Sequence, residues 1–141
     1  MASGDLTNAA GFNAAAREHF PGHLDITITH LEHGLARAEM RLGPQHLTPT
    51  NYLHGAAVVG IADTVCGAGC QGSRPDGAVG FTTIELKCNF LGTASSGLVT
   101  SEARMIHGGR NTQVWDADVT REDGKRIASF RCTQMVLWPK A

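Results

Sequence analysis

The sequence predicts an α+β fold, a six-stranded antiparallel sheet wrapped around one long central helix. Three observations carry this reading. Residues 55–70, GAAVVGIADTVCGAGC, are almost all small or apolar. Six other segments alternate apolar and polar residues with the period of two that marks strands. Turn signals such as Glu122-Asp123-Gly124 fall between these segments, not within them. A sheet with one apolar face must bury it, and the 54–70 stretch is the only element apolar enough to cover it.

The elements follow in order. Residues 8–20, NAAGFNAAAREHF, read as a short helix ended by Pro21-Gly22, so that 1–22 form an N-terminal helical extension. Residues 24–42 alternate in two runs with a turn near His33-Gly34. In the second run Ala36, Ala38, Met40 and Leu42 point one way, and Arg37, Glu39 and Arg41 the other. A loop, 43-GPQHLTPTNYL-53, leads into the central helix. Its glycines (Gly55, Gly60, Gly67, Gly69) weaken it intrinsically and make sense where it approaches a neighbour closely. Four strands come next, at 80–91, 97–107, 111–121 and 125–138. In the first, Ile84, Leu86, Cys88 and Phe90 share one face, and parity puts Thr83 on the other with Glu85 and Lys87. No repeat, low-complexity tract or linker interrupts the chain, and 141 residues are read as a single domain, 1–141.

Composition narrows the function classes. With 42% hydrophobic residues, 18% charged and a formal net charge of −1, the chain reads as an ordinary soluble protein. It carries no basic stripe, so nucleic acid is a poor partner. His54, Asp63 and four glycines make the apolar stretch a core helix and not a membrane span. The opening MASGDLTNAAG has no secretory pattern, and Cys66, Cys70, Cys88 and Cys132 are too sparse for a disulfide scaffold. A cytoplasmic location with reduced thiols is expected. Cys66 and Cys70 share a helix face, but two residues make a poor metal site, and no metal is expected.

Asp63 is the anomaly. An unpaired carboxylate in an apolar helix costs several kcal/mol, so it must be paired, protonated or turned to a wet cleft. A structural aspartate tied to a loop would satisfy that, and so would a functional one. At the helix start, His54-Gly55 presents the first free backbone N–H groups with the positive end of the helix dipole behind them, a ready site for a carbonyl or oxyanion. Gly55 and Asp63 are eight residues apart, about 12 Å of rise and roughly 80° of rotation. One helix cannot bring both to a single carbonyl. If they act together they come from two copies of the helix, which predicts a homodimer with its site at the interface.

His54-Gly55, the run AAVVGIADT, and Asp63 nine residues after the histidine resemble the hotdog-fold acyl-CoA thioesterases, and most of all the phenylacetate-degradation type. The segments 82-TTIELKCNFLGTASSG-97, 106-IHGGR-110 and 122-EDGKRIASFRCT-133 extend the likeness over roughly 24–137. The resemblance implies hydrolysis of an aryl- or medium-chain acyl-CoA to the acid and free coenzyme A, with no cofactor beyond the coenzyme A of the substrate. It implies that the Gly55 N–H polarises the thioester carbonyl and that His54 orients the site. Asp63 of the opposing subunit would be nucleophile or general base. Thr83 matches a position that often holds the attacking water. For coenzyme A it points to 107-HGGRN-111 (His107, Gly108, Gly109, Arg110, Asn111) and to the loop that begins Phe90, Leu91, Gly92, with Arg110 as the cation for phosphate. It also suggests a tetramer built from two dimers.

Two departures stand out. Ala56 replaces the usual second glycine. Thr48 stands where the family usually carries asparagine, so either Asn51 substitutes or a water-positioning contact is lost. The alternative function is therefore a non-catalytic acyl-CoA-binding protein of the same fold. A dehydratase is disfavoured, because 19-HFPGH-23, which echoes that class, precedes the first strand and not the central helix.

Overall fold

The computed structural model describes residues 4–141. Its order is α1 (Ala9–Ala16), α2 (Phe20–His23), β1 (Ile26–Glu32), β2 (Leu35–Arg41), a 3-10 turn at Pro44–His46, α3 (Gly55–Gly72), β3 (Gly80–Phe90), β4 (Leu98–Gly108), β5 (Thr112–Thr120) and β6 (Arg126–Leu137). The six strands form one antiparallel sheet in the order β1-β2-β4-β5-β6-β3. The sheet curls around α3, and this is the predicted α+β architecture.

Inward-facing residues of the strands (Ile28, Met40, Val99, Trp115, Val119, Phe130) pack on Ala57, Ile61, Ala62, Val65 and Cys66 of the helix. Gly69 shows why the helix tolerates its glycines. A Cβ there would stand 2.6 Å from the Trp115 ring, so the indole packs directly on bare helix backbone. Gln113, also buried, donates from Nε2 to Ser73 O and accepts from Trp115 Nε1, tying the end of α3 to β5.

The N-terminal extension differs from the expectation. The first helix stops at Ala16, and Pro21-Gly22 start a second short helix instead of ending the first. Proline has no N–H to lose in a first helical turn and brings a preset φ. The extension also covers one edge of the sheet. The Asn13 amide accepts from Ile28 N and donates to Ile28 O, taking the place of a neighbouring strand on β1.

The opposite edge is β3, whose outer side pairs with no strand among the described residues. Here too the structure departs from the expected pattern. The β3–β6 register shifts between Thr83 and Glu85, so that Thr83 pairs with Gln134 and Leu86 with Cys132. Ile84 is the extra residue of a bulge. Since Gln134 and Cys132 are buried, Phe81, Thr83, Leu86, Cys88 and Phe90 face the helix side. Ile84 therefore does not share the face of Leu86, and Thr83 is not on the face of Glu85 and Lys87. Simple parity counted straight through the bulge.

Candidate active site

The start of α3 is built by capping. His54 is the N-cap, in extended conformation, and its Nδ1 accepts from the Ala56 N–H at 2.9 Å. The neutral ring then carries its proton on Nε2, as a donor directed away from the cap. Ala57 and Val58 donate to His54 O. Of the first-turn donors, Gly55 N–H alone has no partner among the described residues. The helix thus presents one free backbone N–H beside one imidazole N–H, the arrangement suited to a carbonyl oxygen that gains charge.

The surroundings fix this end in place. The His54 N–H donates to His46 O, and Leu53 N to Ala94 O. His46 is fully buried; its Nδ1 accepts from Gly43 N and its Nε2 meets Leu24 O at 2.6 Å, so Nε2 is the protonated nitrogen. Thr48 N donates to Tyr52 O and Asn51 N to Thr48 O, closing a tight turn in which Asn51 adopts φ 65. Asparagine tolerates that left-handed conformation better than most residues. Asn51 is exposed at the tip of the turn, and Thr48 Oγ1 is engaged with Thr50 Oγ1.

Beside His54 lies an apolar cavity of about 240 Å³, lined by Phe20, Leu24, Gln45, Leu47, His54, Ala56 and Ala57. Gly60 lets two of its lining residues pack close to the helix, because a Cβ there would lie 3.0 Å from Leu24 Cδ1 and 3.5 Å from the Phe20 ring. Larger grooves beside α1 and at the β5–β6 hairpin hold none of the candidate residues and are more polar.

Asp63 sits two turns along the helix, half-buried and facing β3. Thr83 Oγ1 lies 3.3 Å from Asp63 Oδ1 and 2.8 Å from Gln134 Oε1. Among the described residues no cation pairs with this carboxylate. Burial therefore raises its pKa above the ordinary aspartate value, and the Thr83 hydroxyl opposes part of the rise. The neighbouring thiols are not competitors. Burial pushes Cys70 up to about 12 and Cys66 well above its ordinary value, so neither is a thiolate at neutral pH.

The structure brings Asp63 and Thr83 together, and Gly55, His54 and Phe90, whose ring would lie 3.2 Å from a Cβ on Gly55. It does not join the two groups in one chain, since they remain about 12 Å apart along the helix. The coenzyme A segments are divided likewise. Phe90 pairs with Ala128 on β6, and Leu91 and Gly92 donate to Ile127 O. The hairpin carrying His107–Asn111 lies seven residues further along β6, where Thr112 pairs with Met135, about 23 Å away. There the Arg110 guanidinium stacks over the Trp138 ring at 4.3 Å, and Trp138 Nε1 donates to Arg110 O.

Gln134 is the residue that sequence reading missed. Its signal was present: it occupies an inward position of β6, in phase with Phe130, Cys132 and Val136, where a polar side chain needs a partner.

Comparison with known proteins gives a consistent result. Residues 50–128 match the thioesterase superfamily. A 1,4-dihydroxy-2-naphthoyl-CoA hydrolase of Listeria monocytogenes is 34% identical over 78% of this chain and 89% of its own. The proofreading thioesterase EntH of Klebsiella pneumoniae is 35% identical over 94% of this chain and 96% of its own. Among solved structures, a mutant thioesterase from Pseudomonas aeruginosa superposes with a TM-score of 0.87 at 28% identity, covering 92% of this chain and 94% of that one.

Proposed function

The chain belongs to the thioesterase superfamily and is a thioester hydrolase acting on acyl-CoA, and on that premise we propose that its acyl group is an aryl or medium-chain one. The carrying observation is the cavity beside His54. At about 240 Å³ it is apolar and small, below the usual range of roughly 300–1,000 Å³ for ligand pockets. An aromatic ring or a short chain fits it. The naphthoyl hydrolase among its relatives lends support to an aryl group.

In this reading the thioester carbonyl accepts from the Gly55 N–H, with His54 Nε2–H beside it, and the negative charge that develops on oxygen stays at the helix N-terminus. Asp63 attacks the carbonyl carbon itself, expelling coenzyme A and leaving a mixed anhydride that water then hydrolyses, or it takes a proton from a water held by Thr83, which attacks and expels coenzyme A directly; both routes consume one water and end in the carboxylic acid and free coenzyme A. Its partial burial without a cation keeps the carboxylate weakly solvated and hence more basic.

The enzyme works as a homodimer, with Gly55 of one protomer facing Asp63 of the other. The open β3 edge supports this. It is 11 residues long, with Ile84, Leu86 and Phe90 exposed in the single chain, a surface that isolated proteins normally shield. A two-fold axis across that edge would also bring the 90–97 loop of one protomer towards the 107–111 hairpin of the other. Coenzyme A would then lie between Phe90, Leu91 and Gly92 on one side and Arg110 on the other. The reduced thiols suit a cytoplasmic setting; no helix among the described residues is long and apolar enough to cross a membrane.

The test is release of free thiol from phenylacetyl-, hydroxybenzoyl-, hexanoyl- and octanoyl-CoA, with Asp63→Asn alongside. Release that requires Asp63 and favours one of these supports the assignment. Binding of coenzyme A without turnover of any of them would favour the non-catalytic reading instead.

A further inference from the structure

The Thr83 hydroxyl has one proton and two acceptors within reach, Gln134 Oε1 at 2.8 Å and Asp63 Oδ1 at 3.3 Å. If the proton goes to the nearer one, Thr83 turns a lone pair towards a carboxylate. The Gln134 Nε2 is then left with Cys132 Sγ at 3.3 Å, a weak acceptor, inside a fully buried pocket. Gln113 makes the contrast: both ends of its amide meet strong partners, Ser73 O and Trp115 Nε1, so its orientation has one solution.

The two ends of a glutamine amide have nearly the same shape, and the hydrogen-bond network decides between them. With the ends exchanged, no lone pair faces the carboxylate. The Cys132 S–H donates to Oε1, Nε2–H donates to Thr83 Oγ1, and the Thr83 O–H is left free to donate to Asp63. The bond to an ionised acceptor is the strongest the set can make. We infer that Gln134 is a positioning residue, donating from Nε2 to Thr83 and so directing the Thr83 proton onto the ionised Asp63. The relay runs in one direction, from β6 through the bulged edge strand to the helix. It also gives the bulge at Ile84 a purpose, since only the shifted register turns Thr83 towards both partners.

The kinetic consequence rests on the thioesterase reading; the orientation of the amide does not. The titratable group that Asp63 acts on is Cys66 on its own helix, on which Cys132 on β6 and Asp116 on β5 also act. In the wild-type protein, labelled at glutamine side chains, the Nε2 protons of Gln134 should show nuclear Overhauser contacts to the Thr83 methyl group. Contacts to the Cys132 β-protons instead would overturn the inference whether or not the enzyme is active. With the thioester of the panel that is hydrolysed fastest, Gln134→Met should lower kcat roughly tenfold at unchanged KM, the pattern of lost transition-state positioning. The acidic limb of its pH profile should move upward, as Asp63 loses an ordered donor. Thr83→Val should move that limb the same way, and adding Gln134→Met to it should produce no further shift. An unmoved or downward-shifted limb in Gln134→Met would reject the relay, because freeing Thr83 from an accepting amide would strengthen its bond to Asp63.

Discussion

Mixing two inactive variants tests the shared site directly. Asp63→Asn removes the carboxylate and keeps its shape. Gly55→Pro removes the free N–H at the first helical position, where proline is well tolerated and where the extended His54 (φ −69, ψ 133) suits a following proline. The Phe90 ring, 3.2 Å from a Cβ at this position, must give by a few tenths of an ångström, and as an exposed side chain it can. Each variant alone should lose roughly a hundredfold or more in kcat, the usual cost of removing one such donor or base. If each site takes Gly55 from one protomer and Asp63 from the other, a mixed dimer has one site with both defects and one with neither. After co-refolding of equal amounts, half of the dimers are mixed. The expected recovery is then about a quarter of wild-type activity, from a two-fold interface. The assay is thiol release on the mixture, with differently tagged subunits to measure the mixed fraction. Mixed dimers that form at the expected fraction yet stay inactive would refute the interface site, because the 12 Å between the two groups would then have to be closed within one chain.

Asp63→Asn also carries a stability prediction. Burial raises the folded-state pKa, so between the unfolded and folded values the native protein binds more protons than the unfolded chain. Wild-type stability therefore falls as pH rises from the unfolded value near 3.9 through the raised folded value, and the asparagine variant escapes that loss. Thermal unfolding should show the variant gaining on the wild type across that window and holding its gain at pH 7; a gap independent of pH would contradict it. Gly69→Ala should destabilise by about 1–3 kcal/mol in denaturant titrations, since the new methyl group meets the buried Trp115 ring at 2.6 Å. Arg110→Ala should raise KM for acyl-CoA roughly tenfold while kcat holds, if the guanidinium meets phosphate. Among the described residues the contact it loses is the stacking on Trp138, worth about 0.5–1 kcal/mol at an exposed position, and a drop in melting temperature with unchanged KM would confine it to that role.

The fold was legible because its two periodicities differ sharply. The apolar run around Asp63 could only be a covering helix, and the six alternating segments could only be strands. The edge strand was legible only in part. Its residue types announce a strand, but nothing local marks Ile84 as the extra residue; the bulge exists because β6 presents Gln134 and Cys132 in a register set across the sheet. That single shift inverts the reading of Thr83, from a polar-face residue to the hydroxyl against Asp63. A similar limit governs Gln134 and Asp63. Each was visible as a polar residue at an apolar position, one on β6 and one on α3, fully 71 residues apart in the chain. Sequence periodicity shows that such a residue needs a partner and cannot show which one. Two polar misfits in a small domain, one buried and one half-buried, are more economically satisfied together than separately, and here a single hydroxyl on the edge strand serves both. Counting buried polar residues that break phase, and asking whether one intermediary could reach them, would have pointed to this cluster before the fold was known.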